Sequence, residues 1–332
     1  MRTPITVLLS VYNGARWLND SIGSVLGQTH ADFEFIIVND GSNDDSLEII
    51  EDFAAKDRRI RVINKPNTGL SDSLNLGLSL AAGDWIARID ADDVCEPNRL
   101  ASQYAMAHSN NNFVLIGSGL FIIDEWGQRS KTFHYPKDHQ KLVDRLINSK
   151  SFFPHSSAFI HSRTVRALGG YRNKFKRAED FDLWLRLSEV GRIGCVHEPL
   201  VSIRKHADQI SNYEGGRRQL VDARAALVSY LLRTKGYVDP CGEDSLSRDF
   251  AFFINFIEQG VKQDRLFEYR YFVEKLKASV DVKSFASCWL LAVSAAKSPR
   301  FVLRYLSSTV FGEKLAMRLT NEWVSRGLPC VE

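Results

Sequence analysis

Three carboxylates fall within four residues at Asp90-Ala91-Asp92-Asp93, directly after a run in which Trp85, Ile86, Ala87 and Ile89 are apolar. Acids spaced this way at the end of a strand can point into one cleft, where they repel unless a hard cation lies between them. Magnesium or manganese would answer that repulsion, bridge the oxygens to a diphosphate and stabilise its departure as a Lewis acid. A solvated acidic turn that caps a helix has the same appearance. A calcium-binding EF-hand loop is excluded, because the sixth position from Asp90 is Cys95 rather than glycine and the twelfth is Ala101 rather than glutamate. Two other acidic sites stand out. Val38-Asn39-Asp40-Gly41-Ser42 sets a carboxylate before a tight turn, where Asp40 could accept the imide N–H of a uracil or be no more than an acidic turn. Arg177-Ala178-Glu179-Asp180 opens the helical pattern Phe181 to Val190, and two acids there also suit a plain helix start. His206 can supply a third metal ligand or a diphosphate contact, or be a solvated histidine in a polar stretch.

The elements that must position these residues follow an alternating rhythm. Apolar runs at Thr6 to Ser10, Phe35 to Val38, Ile60 to Asn64 and Asp84 to Asp90 alternate with helical patterns at Ala15 to Gly27, Ser46 to Ala55 and Ser71 to Ala82. That order predicts a parallel sheet wound with helices, whose ligands gather at the carboxyl ends of the strands. A helix begins near Pro97, and Phe113 to Asp124 with Arg129 to Tyr135 flank the turn Glu125-Trp126-Gly127-Gln128 as a hairpin. A helix-rich stretch follows, and Ile193 to Lys205 reads as a returning strand or extended loop. From about Tyr213 the pattern is almost wholly helical, broken at Asp239-Pro240-Cys241-Gly242. The expected organisation is a catalytic α/β domain over residues 1–212 and a helical region over residues 213–332.

Length and composition exclude several classes. The 332 residues are 44% hydrophobic and 25% charged with no low-complexity tract, which argues against disorder. A net charge of +3 without a basic, aromatic-interleaved run gives nucleic acid no footprint. The five cysteines are odd in number and never paired as Cys-x-x-Cys, so free thiols in a reducing, cytoplasmic setting are expected. No apolar stretch reaches the roughly 18 residues of a membrane-crossing helix. A dinucleotide-binding turn is missing, since Gly117-Ser118-Gly119 lacks its third glycine, and so is a phosphate-binding Gly-x-x-x-x-Gly-Lys loop.

The acidic sites, taken in order, resemble the family 2 glycosyltransferases of the GT-A fold, especially bacterial enzymes that build surface polysaccharides. The resemblance covers roughly residues 4 to 211. It runs through Val7-Leu8-Leu9-Ser10-Val11-Tyr12-Asn13, Asn39-Asp40-Gly41-Ser42, Asn67-Thr68-Gly69, Asn75-Leu76-Gly77 and Ile86-Ala87-Arg88-Ile89-Asp90-Ala91-Asp92-Asp93. It continues at Gly169-Gly170-Tyr171-Arg172, Glu179-Asp180-Phe181-Asp182-Leu183-Trp184-Leu185-Arg186, Ile203-Arg204-Lys205-His206 and Gln209-Ile210-Ser211. Asn39 departs from the aspartate common in the family, and the Gln-x-x-Arg-Trp motif of processive members is absent.

The resemblance implies a Rossmann-like mixed sheet, a nucleotide-sugar donor with uridine as the favoured base, Mn2+ or Mg2+, and transfer of one sugar per encounter with inversion. Ser10, Tyr12, Asn13, Asp40 and Asn67 would line the nucleoside pocket, with Asp40 on uracil. Asp90 and Asp92 would hold ribose and metal, supported by Asp93, and His206 is a candidate third ligand. Asp180 would be the general base, with Glu179 competing for that role. His155 falls where the family places acceptor contacts or is structural, and Trp184 on the apolar face of its helix reads as core. A lipid-linked saccharide in O-antigen, capsule or exopolysaccharide assembly is the expected acceptor. A catalytically silent nucleotide-sugar-binding subunit is the competing reading. The tail, apolar from Phe285 to Ala296 and followed by Lys297, Arg300 and Arg304, would either touch the anionic inner face of the cell membrane, pack on the catalytic domain or serve oligomerisation.

Overall fold

A computed structural model describes residues 4–109, 112–148, 152–206, 216–242, 247–263 and 311–325. The chain divides into two compact units, Met1–Leu146 with Ser151–Gln209, and Ile147–Lys150 with Ile210–Glu332. The first unit opens with β1 (Ile5–Val11), α1 (Ala15–Leu26), β2 (Phe33–Asp40), α2 (Ser46–Lys56), β3 (Ile60–Lys65), α3 (Leu70–Leu80) and β4 (Trp85–Asp90). All seven residues of β1 are buried, as a parallel strand covered on both faces requires. Helix α1 covers it with Leu18, Ile22 and Val25, spaced by four and three along one face.

The chain continues through β5 (Val94–Cys95), α4 (Arg99–Ser109), β6 (Phe113–Ile123), β7 (Arg129–Phe133) and α5 (His139–Ile147). A single 3-10 turn at His155–Ser157 precedes β8 (Phe159–His161), α6 (Ser162–Ala167), α7 (Glu179–Val190) and β9 (Arg192–Arg204). The strands form one sheet in the order β3-β2-β1-β4-β8-β6-β9-β5, with β7 paired to β6. From β3 to β4 all pairs are parallel; β8 then runs antiparallel to both β4 and β6, and β9 runs parallel to β6. The sheet is therefore mixed, and the predicted hairpin is β6 and β7.

Register aligns the carboxyl ends. Ser10 pairs with Val38 on one side and Asp90 on the other, while Asp40 pairs with Lys65. Behind this edge α4 supplies two buried polar side chains. Arg99 Nη2 donates to the carbonyl of Arg88 at 2.7 Å, and Gln103 Nε2 donates to those of Ile116 and Ser157 at 3.1 and 2.7 Å. Carbonyls that the irregular strand junction leaves over are thus satisfied.

In the second unit, α8 (Gly216–Thr234), α9 (Ser247–Gln263) and α10 (Phe311–Ser325) are helical as the pattern predicts. Trp323 is buried against the rings of Phe253 and Phe256, with centroids 4.9 and 5.2 Å away. The break at Asp239 is held by its carboxylate, which accepts the Cys241 N–H at 2.8 Å and pairs with Arg233 at 2.7 Å. The apolar stretch Phe285 to Ala296 lies outside the described residues. Among the described residues, no helix is long and apolar enough to cross a membrane.

The turn after β2 depends on one glycine. Gly41 has φ +70°, and a Cβ there would stand 2.6 Å from the backbone nitrogen of Asn67. Gly41→Ala should cost about 1–3 kcal/mol of stability, since both the dihedral and the contact are against backbone. Denaturant unfolding measures this, and an unchanged midpoint would show that the two loops can part freely.

Candidate active site

Arg88 and Asp90 are two residues apart on β4, so their side chains leave the same face of the strand. Arg88 is wholly buried, and its Nη2 pairs with Asp90 Oδ1. Its Nε and Nη1 are buried without a hydrogen-bond partner. The other oxygen, Asp90 Oδ2, lies 2.7 Å from Ser156 Oγ, which also accepts the Asp90 N–H at 3.0 Å. Burial would raise the Asp90 carboxyl, but the Arg88 guanidinium and the Ser156 hydroxyl hold it below the usual carboxylate range.

Ser156 Oγ is also within hydrogen-bond distance of Asp93 Oδ2. A hydroxyl has one hydrogen and can donate to only one of two carboxylates, so serving both requires a proton on one acid. Asp93 is the acid that holds it: burial, with Asp92 and Asp90 alongside, pushes its carboxyl well above the ordinary value. Asp93 Oδ1 accepts the backbone N–H of Arg204 at 3.0 Å.

Arg204, at the end of β9, is buried and fastens the acidic loop from the other side. Its Nε donates to the Asp92 carbonyl at 2.9 Å, Nη2 pairs with Asp20 on α1 at 2.8 Å, and Nη1 reaches the Glu125 carbonyl at 3.1 Å. The guanidinium also lies 4.5 Å over the Trp17 ring.

Asp92 is half-buried, and its Oδ2 is 2.9 Å from His206 Nε2. Two neighbouring ligands of an octahedral divalent ion bound at about 2.1 Å stand about 3 Å apart, so this oxygen and nitrogen are spaced to share one cation. Asp90 does not join them. The expected trio does not converge, because Asp90 is committed to Arg88 and Ser156. Among the described residues no three His, Cys, Asp or Glu side chains gather as a metal centre. The protein can offer two donors, leaving further positions for phosphate oxygen or water.

The edge expected to receive the nucleoside is built by two interlaced loops. Asn13, with φ 52°, donates its N–H to Ser42 Oγ at 3.0 Å and accepts the Asn43 N–H at 2.8 Å. Ser10 is buried beside Asp90, Tyr12 is 52% exposed, and Asn67 is exposed on the loop after β3. Asp40 is turned inward: Oδ1 pairs with Lys65 and accepts the Thr68 N–H at 2.9 Å, and Oδ2 accepts the Gly69 N–H at 3.0 Å. Burial raises its carboxyl, but Lys65 and these N–H groups hold it below the usual range. A carboxylate has about four acceptor positions, so one on Oδ2 is left for a ligand.

Helix α7 brings Glu179 and Asp180 to the same charge field. It is positioned by Asn75 on α3, whose side chain accepts the Tyr171 N–H at 2.8 Å and donates to the Tyr171 carbonyl at 2.7 Å. Arg186 on α7 returns to the carbonyls of Leu168 and Gly170, both at 2.9 Å. The Tyr171 hydroxyl lies 2.7 Å from His155 Nε2; burial, with Arg88 nearby, pushes that imidazole down to about 3, so it is neutral and can accept from the phenol. Trp184 is buried beside it, as its helical spacing predicts. Glu179 is buried, and burial together with the Asp180 charge raises its carboxyl to about 8. Asp180 is half-buried; burial raises it, with Asp90 adding repulsion and the Phe181 N–H and Arg88 opposing. At neutral pH Glu179 therefore holds a proton, and Asp180 is the acid of this pair more open to a substrate.

Sequence reasoning passed over Arg88, Ser156 and Arg204. Arg88 had a readable signal, a lone arginine inside an otherwise apolar buried strand, which must find an anion; Arg204, the last residue of a strand with several polar positions, had a weaker one. Ser156 had none.

The raised Glu179 has a thermodynamic consequence. Its proton stabilises the fold fully below its ordinary value of 4.5, and that stabilisation is lost as pH rises towards about 8. Glu179→Gln should lose less thermal stability across this window than the parent protein. Parallel melting curves would mean that Glu179 is already ionised in the fold.

Residues 6–168 match the family model described as Glycosyl transferase family 2. The putative glycosyltransferase EpsE of Bacillus subtilis is 35% identical over 210 residues, spanning 61% of this chain and 74% of that protein. The O-antigen biosynthesis glycosyltransferase WbnJ of Escherichia coli is 33% identical over 186 residues, 55% of this chain and 71% of that one. Among solved structures, S. aureus TarS 1-349 in complex with UDP superimposes with a TM-score of 0.55 at 14% identity, over 97% of this chain and 92% of that one. The mannosyltransferase PcManGT from Pyrobaculum calidifontis, in complex with GDP-Man and Mn2+, gives 0.55 at 16% identity, over 97% and 88%. The fold is GT-A, and the chain belongs to glycosyl transferase family 2 and is a glycosyltransferase.

Proposed function

We propose that the protein transfers one sugar per encounter from a nucleotide-sugar, with uridine as the base, to a hydroxyl of a saccharide acceptor, with inversion. The observation that carries this reading is that Asp180, at the start of α7, feels both members of the buried β4 pair, Asp90 raising its carboxyl and Arg88 lowering it. Donor and acceptor functions thus share one charge field. The nucleoside would lie along the ends of β1 and β2, between Tyr12, Asn13 and Asn67, with the remaining lone pair of Asp40 taking the base N–H. Asp90 would take ribose hydroxyls. Asp92 and His206 would hold a divalent cation, manganese or magnesium, which when bound supplies Lewis-acid neutralisation of the departing diphosphate.

Asp180 accepts the proton of the acceptor hydroxyl as its oxygen bonds to the anomeric carbon from the face opposite the diphosphate. The carbon–oxygen bond to the diphosphate breaks, the nucleoside diphosphate leaves with that electron pair, and the anomeric configuration inverts. A carboxyl raised above its ordinary value suits this work, because a more basic carboxylate takes a proton more readily. The relatives support a role in assembly of a surface polysaccharide, where a lipid-linked saccharide would be presented at the inner face of the membrane. A catalytically silent binding subunit would bind the nucleotide-sugar with no nucleoside diphosphate release in the presence of acceptor.

Asp92→Ala should abolish manganese-dependent binding of UDP in calorimetry while metal-free binding stays weak and unchanged, since the cation loses its carboxylate ligand. A metal effect intact in the variant would remove Asp92 from the site.

Asp180→Asn should keep donor affinity and lower kcat by ~10²- to 10⁴-fold, because the amide preserves shape but cannot accept the proton. A larger loss in Glu179→Gln than in Asp180→Asn would exchange their roles.

A further inference from the structure

Trp126, at the tip of the β6–β7 hairpin, is 82% exposed, although indole is the largest apolar side chain the chain has to bury. A lone exposed hydrophobic group is ordinary on a protein surface. What sets this one apart is how firmly its turn is held and to what. Asp124 Oδ1 accepts the N–H groups of both Trp126 and Gln128 at 2.9 Å, and the Asp124 N–H and carbonyl close the turn on Gln128 and Gly127, each at 3.1 Å. Gly127 supplies the left-handed dihedral, φ +82°.

The turn is tied to the acidic loop by a single side chain. The carbonyl that Arg204 Nη1 binds at 3.1 Å belongs to the Glu125–Trp126 peptide itself, and the same guanidinium binds the Asp92 carbonyl through Nε at 2.9 Å. Glu125 adds an ion pair to Arg16 on α1 at 2.6 Å, and Arg16 lies 4.2 Å over Trp17, whose ring is 5.3 Å from that of His206. The turn that carries the exposed indole is therefore fastened to the loop of the proposed metal pair.

We infer that Trp126 is a stacking platform for a saccharide ring of the acceptor, an inference that rests on the transfer to a saccharide proposed above. A pyranose presents one face of C–H groups and a polar rim of hydroxyls. An indole offers it a broad apolar face, and with only two side-chain torsions on a rigid turn it loses little freedom on binding. A turn fixed to the Asp92 backbone holds that face at a constant distance from the reacting atoms, so the platform can set how far along a glycan the accepting hydroxyl lies.

The test uses the full chain labelled with 5-fluorotryptophan, which gives one 19F resonance for each of its six tryptophans. Trp126→Phe identifies the Trp126 signal by its loss and, on an exposed side chain, leaves the fold intact. The probes are the methyl glycosides of glucose, galactose, N-acetylglucosamine and N-acetylgalactosamine at millimolar concentration, phosphatidylglycerol vesicles, and UDP with manganese. A saturable shift of the Trp126 resonance with at least one glycoside is the expected result. No shift with any of them, or a response to vesicles alone, overturns the proposal, and the latter assigns the indole to a membrane surface. UDP with manganese should move the Trp17 resonance beside His206. Failure of that arm counts against the nucleotide-sugar reading, and a silent Trp126 with a responsive Trp17 counts against the platform only.

Discussion

Three carboxylates in four residues repel one another, and the surroundings of the acidic loop are arranged to give each a different partner. Asp90 takes Arg88, Asp92 takes His206, and Asp93 keeps a proton between Ser156 and the Arg204 N–H. Arg88 and Arg204, which hold the loop from either side, carry buried guanidiniums, and these are tolerable inside a protein only when paired, as they are with Asp90 and Asp20. The irregular half of the sheet follows from this requirement. The 3-10 turn must close on Asp90 to deliver Ser156, and β9 must return between β6 and β5 to deliver Arg204.

The same compensation links the acidic loop to the start of α7. Arg88 sits among Asp90, Tyr171, Glu179 and Asp180, and its charge is felt by all of them. Its two unpartnered nitrogens, Nε and Nη1, are a standing cost in a buried place. A neutral imidazole at His155 and a protonated Glu179 keep further charge out of the pocket, so Asp180 faces only Asp90 as an anionic neighbour of consequence.

The winding of β1 to β4 with α1 to α3 was legible because buried parallel strands read as apolar runs and their helices as amphipathic patterns. The acid ends of β2 and β4 were legible because carboxylates there break the pattern. The strand β8 was not, being three residues long and too short for any periodicity. The split of Asp90 from Asp92 and His206 was invisible as well, since it depends on Arg88 and on a serine more than sixty residues away. Adjacent acids such as Glu179 and Asp180 look alike in sequence; only burial, which follows from packing of α7, separates their proton affinities.

The position of β9 in the sheet bears on how the enzyme is made. As the chain leaves the ribosome, β1 to β4 can pair in the order of their synthesis, whereas among the described residues β5 has β9 as its partner. The acidic loop therefore remains without Arg204 until more than a hundred further residues have been added. Up to that moment Asp92 and Asp93 lack His206 and the Arg204 N–H, and β6 lacks its long neighbour. With the donor bound as proposed above, a growing chain would have no finished site for a nucleotide-sugar, because the residue that fastens the acidic loop is supplied by the last strand of the sheet.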